Sequence, residues 1–206
     1  MEVSLNRSSI KHHVGNLLAA GGFSIYLVHS LGEFLQSGET VSLLLVMRNA
    51  IIVSIFLLRH EGKASGKSIH WVVAILTTVL AFAFMTADTI PLIPVYYSNC
   101  LFLIGVTLSC YSVVSLGKSF GIVPANRGIV TRDIYRWVRH PIYASYIIMD
   151  IAIVLSAFSP INLLIFIIIV ALFFVRTQFE EDFLRGDPQY LIYSGQVKSR
   201  FIPGVI

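Results

Sequence analysis

The sequence has few charged residues for its length. Charged residues make up 13% of the 206 residues, whereas hydrophobic residues make up 56% and the mean hydropathy is +0.79. A soluble domain carries about 25% charged residues, so an ordinary solvated surface is excluded. Lipid must cover much of this surface, and the sequence therefore predicts an integral membrane protein that has the lipid bilayer as a partner.

The sequence also gives no sign of a disulfide, a metal site or a nucleic-acid site. Cys100 and Cys110 are ten residues apart in one apolar segment, about 15 Å along a helix, which is too far for a disulfide. The histidines lack metal-ligand spacing with cysteines or carboxylates, so no metal is expected. The pI is about 9.2, but an excess of Lys and Arg in a membrane protein is typical of cytoplasmic loops.

Six apolar segments are candidate membrane spans. They are Val14–Leu35, Val41–Leu58, Ile69–Ala87, Val95–Leu116, Ile142–Phe158 and Ile161–Val175. The last two reach only about 22–26 Å as helices, so we expect them to form a short helical hairpin. The first segment lacks a small-residue cleavage site, and we expect it to be retained. The predicted fold is all-α, a polytopic membrane helical bundle of about six spans.

Positive charge alternates between the loops. Lys and Arg occur before the first span and after the second, fourth and sixth, but are absent from the other loops. By the positive-inside rule, both termini and the 117–141 loop are expected in the cytoplasm. We expect residues 1–116 to form N-terminal membrane spans. Residues 117–206 would form a membrane-embedded core with a cytoplasmic C-terminal segment, and the minimal tails favour a bacterial inner membrane over the endoplasmic reticulum.

Arg-His-Pro-Ile-Tyr at positions 139–143 opens the fifth span. Pro141 suits the first turn of a helix and forces His140 toward an extended backbone. Arg139 and His140 would then lie beside the partially positive helix N-terminus, where an anion binds favourably. Interfacial anchoring is an equal alternative, because Arg, His and Tyr are common at headgroup level.

A second polar group follows the sixth span. Arg176 and Glu180 are four residues apart and could form a surface ion pair, while Glu181 points about 100° away from Glu180 on a helix. Gly186-Asp187-Pro188 should break this helix and start another, with Asp187 as its cap. Tyr190 and Tyr193 share a face of the new helix and could sandwich a purine or form an interfacial aromatic belt.

Taken in order, these pieces resemble the isoprenylcysteine carboxyl methyltransferase family, whose wider group includes the phospholipid N-methyltransferases. The resemblance covers roughly residues 115–204 and rests on Gly128-Ile129-Val130-Thr131, Tyr135-Arg136, Arg139-His140-Pro141-Ile142-Tyr143, Glu180-Glu181, Leu184, Tyr190, Tyr193 and Arg200-Phe201-Ile202-Pro203-Gly204. One departure is Ala144-Ser145, where many members have a glycine after the tyrosine.

The resemblance implies an S-adenosyl-L-methionine-dependent methyltransferase with a lipophilic methyl acceptor. The cofactor-binding residues that it implies are Val130, Thr131, Tyr135, Arg139, His140, Pro141, Tyr143, Glu180, Tyr190 and Tyr193. Arg176 and Glu181 would face the acceptor as catalytic residues. No strand followed by a glycine-rich turn and helix is present, so a Rossmann methyltransferase is not expected.

The acceptor's chemistry stays open at this point. A carboxylate is already ionised and would need Arg176 to hold it, whereas an amine or thiol would need a base, for which Glu181 is the nearest candidate. Arg176 tilts the prediction toward a carboxylate. A nicotinamide-dependent membrane reductase and a non-catalytic membrane subunit or small transporter are the remaining alternatives.

Two charged residues lie inside predicted spans. Arg48 is midway along the second span, where an arginine costs about 2.5–3.5 kcal/mol on insertion scales. Asp150 lies at comparable depth in the fifth span by residue counting. We expect the two side chains either to form an ion pair or to line the acceptor cavity together.

Overall fold

The protein is an α-helical bundle. A computed structural model describes residues 7–38, 40–60, 62–81, 83–85 and 88–205. Its helices are α1 (Arg7–Ser37), α2 (Thr40–Leu58), α3 (Ser68–Leu80), α4 (Val95–Leu116), α5 (Pro141–Ser156), α6 (Pro160–Leu184) and α7 (Pro188–Gln196). Two short strands, β1 (Lys63–Ala64) and β2 (Ala125–Asn126), and 3-10 turns at Gly117–Ser119 and Asp133–Arg136 complete the described elements.

Four helices of the described ranges are long and apolar enough to cross a membrane, namely α1, α2, α4 and α6. This confirms the prediction of a helical multi-pass membrane protein. The helices α3 and α5 are apolar but have only 13 and 16 residues, about 20 and 24 Å. The predicted third span was too long, because α3 ends at Leu80 and residues 83–85 are irregular. Residues 82, 86 and 87 of that prediction lie outside the described residues.

The helix α6 continues past the predicted span Ile161–Val175, as the sequence predicts. Nothing after Val175 breaks the helix until Gly186, so α6 continues to Leu184. Arg176, Glu180 and Glu181 are therefore displayed on the last three turns of one rigid helix. Ser159 caps the start of α6 by accepting a hydrogen bond from the Asn162 N–H at 3.1 Å.

The helices pack in the order α1, α2, α4, α5, α6 and α3. The closest approach is between α4 and α5 at Gly105, where an added Cβ would lie 2.6 Å from Met149 Cγ and 3.1 Å from the Ser145 carbonyl oxygen. Glycine is therefore required at position 105 for this contact. Ser145 is fully buried and donates back to the Ile142 carbonyl at 2.6 Å, so its hydroxyl is satisfied within α5.

One end of the bundle carries the polar loops. The strands β1 and β2 pair antiparallel, with Lys63 opposite Asn126 and Ala64 opposite Ala125. The His60 N–H donates to the Lys118 carbonyl at 3.1 Å. The sequence did not predict this small sheet, which joins the 59–68 loop to the 117–141 loop and so fixes one wall of the cavity described below.

Candidate active site

A cavity of about 410 Å³ lies between the helices α1 to α6 and the 117–141 loop. Its volume is in the range of small-molecule sites. One part of its lining comes from the polar loops and the last turns of α6, while another part comes from the apolar faces of the membrane helices. Both ends of the α5–α6 hairpin contribute, because His140 and Glu180 line the same cavity.

His140 lies at the mouth of α5. It is the N-cap residue, and Pro141 follows in the first turn as predicted. The C-terminal tail holds this segment, since the N–H groups of Arg139 and His140 donate to the carbonyls of Ser199 and Arg200 at 3.0 and 2.8 Å. His140 is 8% exposed, and its backbone position is thus fixed by a segment 60 residues further along the chain.

Glu181 is the centre of a buried charge cluster. One of its oxygens, Oε1, lies 2.9 Å from Arg139 Nη2 and 3.1 Å from His140 Nε2. Arg200 forks onto both oxygens, with Nε 3.2 Å from Oε1 and Nη2 2.9 Å from Oε2. Arg139 also donates to the carbonyls of Val197 and Lys198. The cluster ties α6, the start of α5 and the tail together.

The contacts of Glu181 differ from the prediction that it faces the acceptor. Its side chain is 4% exposed, and it is not among the residues that line the cavity. Because both oxygens are already engaged with Arg139, His140 and Arg200, no free oxygen is left to take a proton from a substrate. Glu181 contacts the cavity lining only through residues that it holds, such as Arg139 and His140.

Glu180 faces the cavity instead. It accepts a short hydrogen bond from the Tyr143 hydroxyl, and its Oε2 lies 3.7 Å from His140 Nδ1. The ring of Tyr143 stacks on Phe173 at 5.1 Å between centroids. These contacts group a carboxylate from α6 with an imidazole and a phenol from the start of α5 on the cavity wall.

Arg176 lies beside this group, and its predicted ion pair with Glu180 is wrong. Its Nη2 donates to the Ile122 carbonyl at 2.7 Å, and its Cζ lies 5.1 Å from the centroid of the Tyr143 ring. The Tyr143 hydroxyl donates to Glu180, and the ion pairs of the described residues do not include Arg176–Glu180. Arg176 is 8% exposed and lines the cavity.

The tyrosines divide into cavity-lining and supporting residues. Burial raises the pKa of Tyr135, Tyr190 and Tyr193, so all three keep their O–H donors at neutral pH. The Tyr193 hydroxyl donates to the Tyr135 carbonyl at 2.7 Å, while that of Tyr135 donates to the Ser112 carbonyl at 3.4 Å. The buried Tyr190 hydroxyl lacks a hydrogen-bond partner among the described residues, and Tyr190 lines the cavity.

The structure brings most of the predicted site residues together. Those that line the cavity are Val130, Tyr135, Arg139, His140, Tyr143, Arg176, Glu180 and Tyr190. Thr131 is exposed and lies off the cavity wall. Pro141 is buried at the start of α5 and Tyr193 supports Tyr135, so neither lines the cavity. Within the described ranges, no group of three or more His, Cys, Asp or Glu side chains could hold a metal ion.

The sequence reasoning missed Arg127. It lines the cavity, and its Nε lacks a hydrogen-bond partner among the described residues. Burial, reinforced by the neighbouring charge of Arg59, lowers its pKa to about 10. Its side chain crosses Gly62 and Gly121 so closely that a Cβ at either glycine would clash with it. In the sequence, only the nearby glycines, such as Gly121, could have indicated that the Arg127 side chain packs closely against the backbone.

The deep part of the cavity carries Arg48 and Asp150. Arg48 Nη2 lies 3.3 Å from the Tyr146 hydroxyl, and the guanidinium lies over the Tyr146 ring. The ion pairs within the described part of the chain do not include Arg48–Asp150. The structure therefore contradicts a direct pair and agrees with the alternative that both side chains line the cavity.

Comparison with known proteins supports the resemblance. Residues 98–186 match the model of the isoprenylcysteine carboxyl methyltransferase family. The Protein-S-isoprenylcysteine O-methyltransferase A of Arabidopsis thaliana is 29% identical over 107 residues, which are 48% of this chain and 54% of the relative. The match thus spans about half the length of that relative. The resemblance to the isoprenylcysteine carboxyl methyltransferase family is confirmed over residues 98–186.

Proposed function

We propose that this protein transfers a methyl group from S-adenosyl-L-methionine to the carboxylate of a lipophilic acceptor. The observation that carries the proposal is the joint placement of His140, Tyr143, Glu180 and Arg176 on one cavity that continues between apolar helices. Such a cavity can admit a polar cofactor beside the loops and an apolar acceptor from the lipid. The match of residues 98–186 to a methyltransferase family supports the same chemistry.

The residues present fit the proposed cofactor. When bound, S-adenosyl-L-methionine supplies an activated methyl group on a positively charged sulfur. The Glu180 carboxylate lies on the cavity wall and would favour a cation there. The Tyr190 hydroxyl is a donor without an acceptor among the described residues, and buried donors of this kind normally have a partner. Val130 and Tyr135 would provide apolar surface for the nucleoside.

Arg176 is the proposed holder of the acceptor. A guanidinium has five N–H donors, and the hydrogen bond to the Ile122 carbonyl uses one nitrogen. The remaining donors can fork onto a carboxylate, which is the geometry that arginine binds best. A carboxylate is ionised at neutral pH and needs no base. Since Glu181 is fully engaged, this reading is favoured over an amine or thiol acceptor.

The protein's remaining contribution is alignment and exclusion of water. Tyr143 is held by two contacts: its ring stacks on Phe173, and its hydroxyl donates to Glu180. The Glu181 cluster fixes His140 and the end of α6. Positioning of this kind can supply a large part of the acceleration of a bimolecular transfer. The loss of one anchor is expected to slow the reaction even where no reacting atom is touched.

We place the mouth of the cavity on the cytoplasmic side. The Lys and Arg residues of the 59–68 and 117–141 loops and the tail lie at this end, as the positive-inside rule requires. Six crossings, with both termini in the cytoplasm, follow if the short helices α3 and α5 also cross, which a locally thinned bilayer permits.

The proposal is tested by methyl transfer in detergent or reconstituted vesicles. The purified protein is given S-adenosyl-L-methionine with a labelled methyl group and a long-chain thioether carboxylate. We expect a base-labile methyl ester, lost in Glu180→Gln and retained in Asp182→Asn. Asp182 is the matched control because its carboxylate is exposed and forms an exposed ion pair with Arg185. Absence of label with carboxylates, but transfer to amine or thiol analogues, would contradict the assigned acceptor.

A further inference from the structure

The deep part of the cavity holds a polar cluster separate from Arg176 and Glu180. Tyr143, Tyr146 and Asp150 are three and four residues apart on α5, so they lie on one face of that helix. All three line the cavity. Asp150 is seven residues beyond Tyr143, about 10 Å along the helix axis. The cluster therefore lies about two turns deeper in the bundle than the proposed site of transfer.

Asp150 is a buried acceptor without a partner. Its exposed fraction is 7%, and the described residues offer it neither a hydrogen bond nor an ion pair. A carboxyl group buried among apolar helices is unfavourable unless something binds it. Because it lines the cavity, the partner can only be what the cavity contains.

Arg48 is a donor that faces the same space. Its Nη2 contacts the Tyr146 hydroxyl at 3.3 Å and its guanidinium lies 5.1 Å from that ring. Its Nε is buried and lacks a partner in the described part of the chain. Arg48 and Asp150 do not satisfy each other, although they line one cavity. A plain hydrocarbon chain placed between them would leave both groups unsatisfied.

We propose that this cluster binds a second polar group of the acceptor, an uncharged hydroxyl or amide that accepts from Arg48 and donates to Asp150. Both groups can donate and accept at once. The inference rests on the proposed function, and it narrows the acceptor to a class. That class is a long amphipathic carboxylate with a hydrogen-bonding group about 10 Å from the reacting end, rather than a molecule with a plain hydrocarbon tail.

The test uses two synthetic thioether carboxylates of equal length. One has a plain alkyl chain, and the other carries an amide about 10 Å from the carboxylate. Thermal stabilisation of the purified protein measures binding, and kcat/KM measures transfer. We expect the wild type to bind the amide compound at least tenfold more tightly, as judged from the ligand concentration that gives equal thermal stabilisation. We also expect a kcat/KM at least tenfold higher for that compound. Asp150→Leu should abolish or reverse this preference, and Asp150→Asn, which keeps an acceptor, should retain much of it.

Ser156→Leu introduces a leucine at another polar position of α5, off the cavity wall, and should leave the preference unchanged. Asp150→Leu should not lower the melting temperature of the unliganded protein, since it removes an unpartnered group. Equal use of both compounds by the wild type would overturn the inference while leaving the proposed function standing. Preferential binding of the amide compound without transfer would support the inference and overturn the proposed function. A large thermal loss in both Asp150→Asn and Asp150→Leu would mean that the carboxyl group has a structural partner, which also overturns it.

Discussion

Glu181→Gln distinguishes a residue that positions the site from one that acts on the substrate. The change keeps the size of the side chain but removes its charge. Arg139 and Arg200 then lose their shared counterion, which now lies 2.9 Å from each of them. Breaking a buried pair by removing one partner costs about 3–5 kcal/mol. Glutamine retains one carbonyl acceptor, so the lower end, about 3 kcal/mol, is expected.

This loss should be visible in thermal unfolding. For a chain of this size 1 kcal/mol corresponds to about 2–4 °C, so the melting temperature in detergent should fall by about 6–12 °C. Asp182→Asn, at the next residue of α6, is the control. Its ion pair with Arg185 is 63% exposed on the Asp182 side, and exposed pairs contribute about 1 kcal/mol or less. Its melting temperature should change by about 4 °C or less.

A positioning role and a catalytic role for Glu181 predict different effects of Glu181→Gln on kcat and on the melting temperature. If Glu181 were the base for an amine or thiol acceptor, Glu181→Gln would lower kcat with an unchanged melting temperature. If it positions His140 and Arg139, the melting temperature falls, the KM for S-adenosyl-L-methionine rises, and transfer partly recovers at low temperature. An unchanged melting temperature together with a complete loss of transfer is the result that would sink the positioning role.

Three further changes test separate contacts. Tyr143→Phe removes the hydroxyl that Glu180 accepts from, so cofactor affinity should fall about tenfold, as titration calorimetry would show; an unchanged dissociation constant argues against this contact. Arg176→Lys removes the guanidinium fork and should lower kcat/KM for a carboxylate at least a hundredfold with little thermal change, whereas wild-type rates would exclude the assigned role. Gly105→Ala should lower the melting temperature by several degrees because the new methyl group meets the backbone of Met149 and Ser145 at 3.1 Å; a stabilised variant would contradict the tight α4–α5 contact.

Local features of the fold could be predicted from the sequence because they depend on neighbouring residues. Pro141 in the first turn of α5 and Asp187 as the cap of α7 follow from backbone chemistry alone. The bounds of α4, Val95–Leu116, agree with the predicted span, because prolines precede it and glycine follows it. The end of α3 was misjudged, since hydropathy continues past Leu80 while the helix does not.

The partners within the site could not be predicted, because they come from distant parts of the chain. Glu181 pairs with Arg200 across 19 residues and with Arg139 across 42. Tyr193 supports Tyr135 across 58 residues. Sequence spacing showed that Glu180 and Glu181 point in different directions, but only the placement of the tail shows which of them is enclosed by arginines.

We propose that the start of α5 and the end of α6 form one binding site for S-adenosyl-L-methionine. The most direct measurement is the dissociation constant of this compound for the wild type and for Tyr190→Phe. The Tyr190 hydroxyl has no hydrogen-bond partner within the described residues, so its removal should leave the melting temperature unchanged. Saturable one-to-one binding that weakens about tenfold in the variant is expected. A wild-type protein that stays folded but shows no saturable binding would contradict the proposed cofactor site.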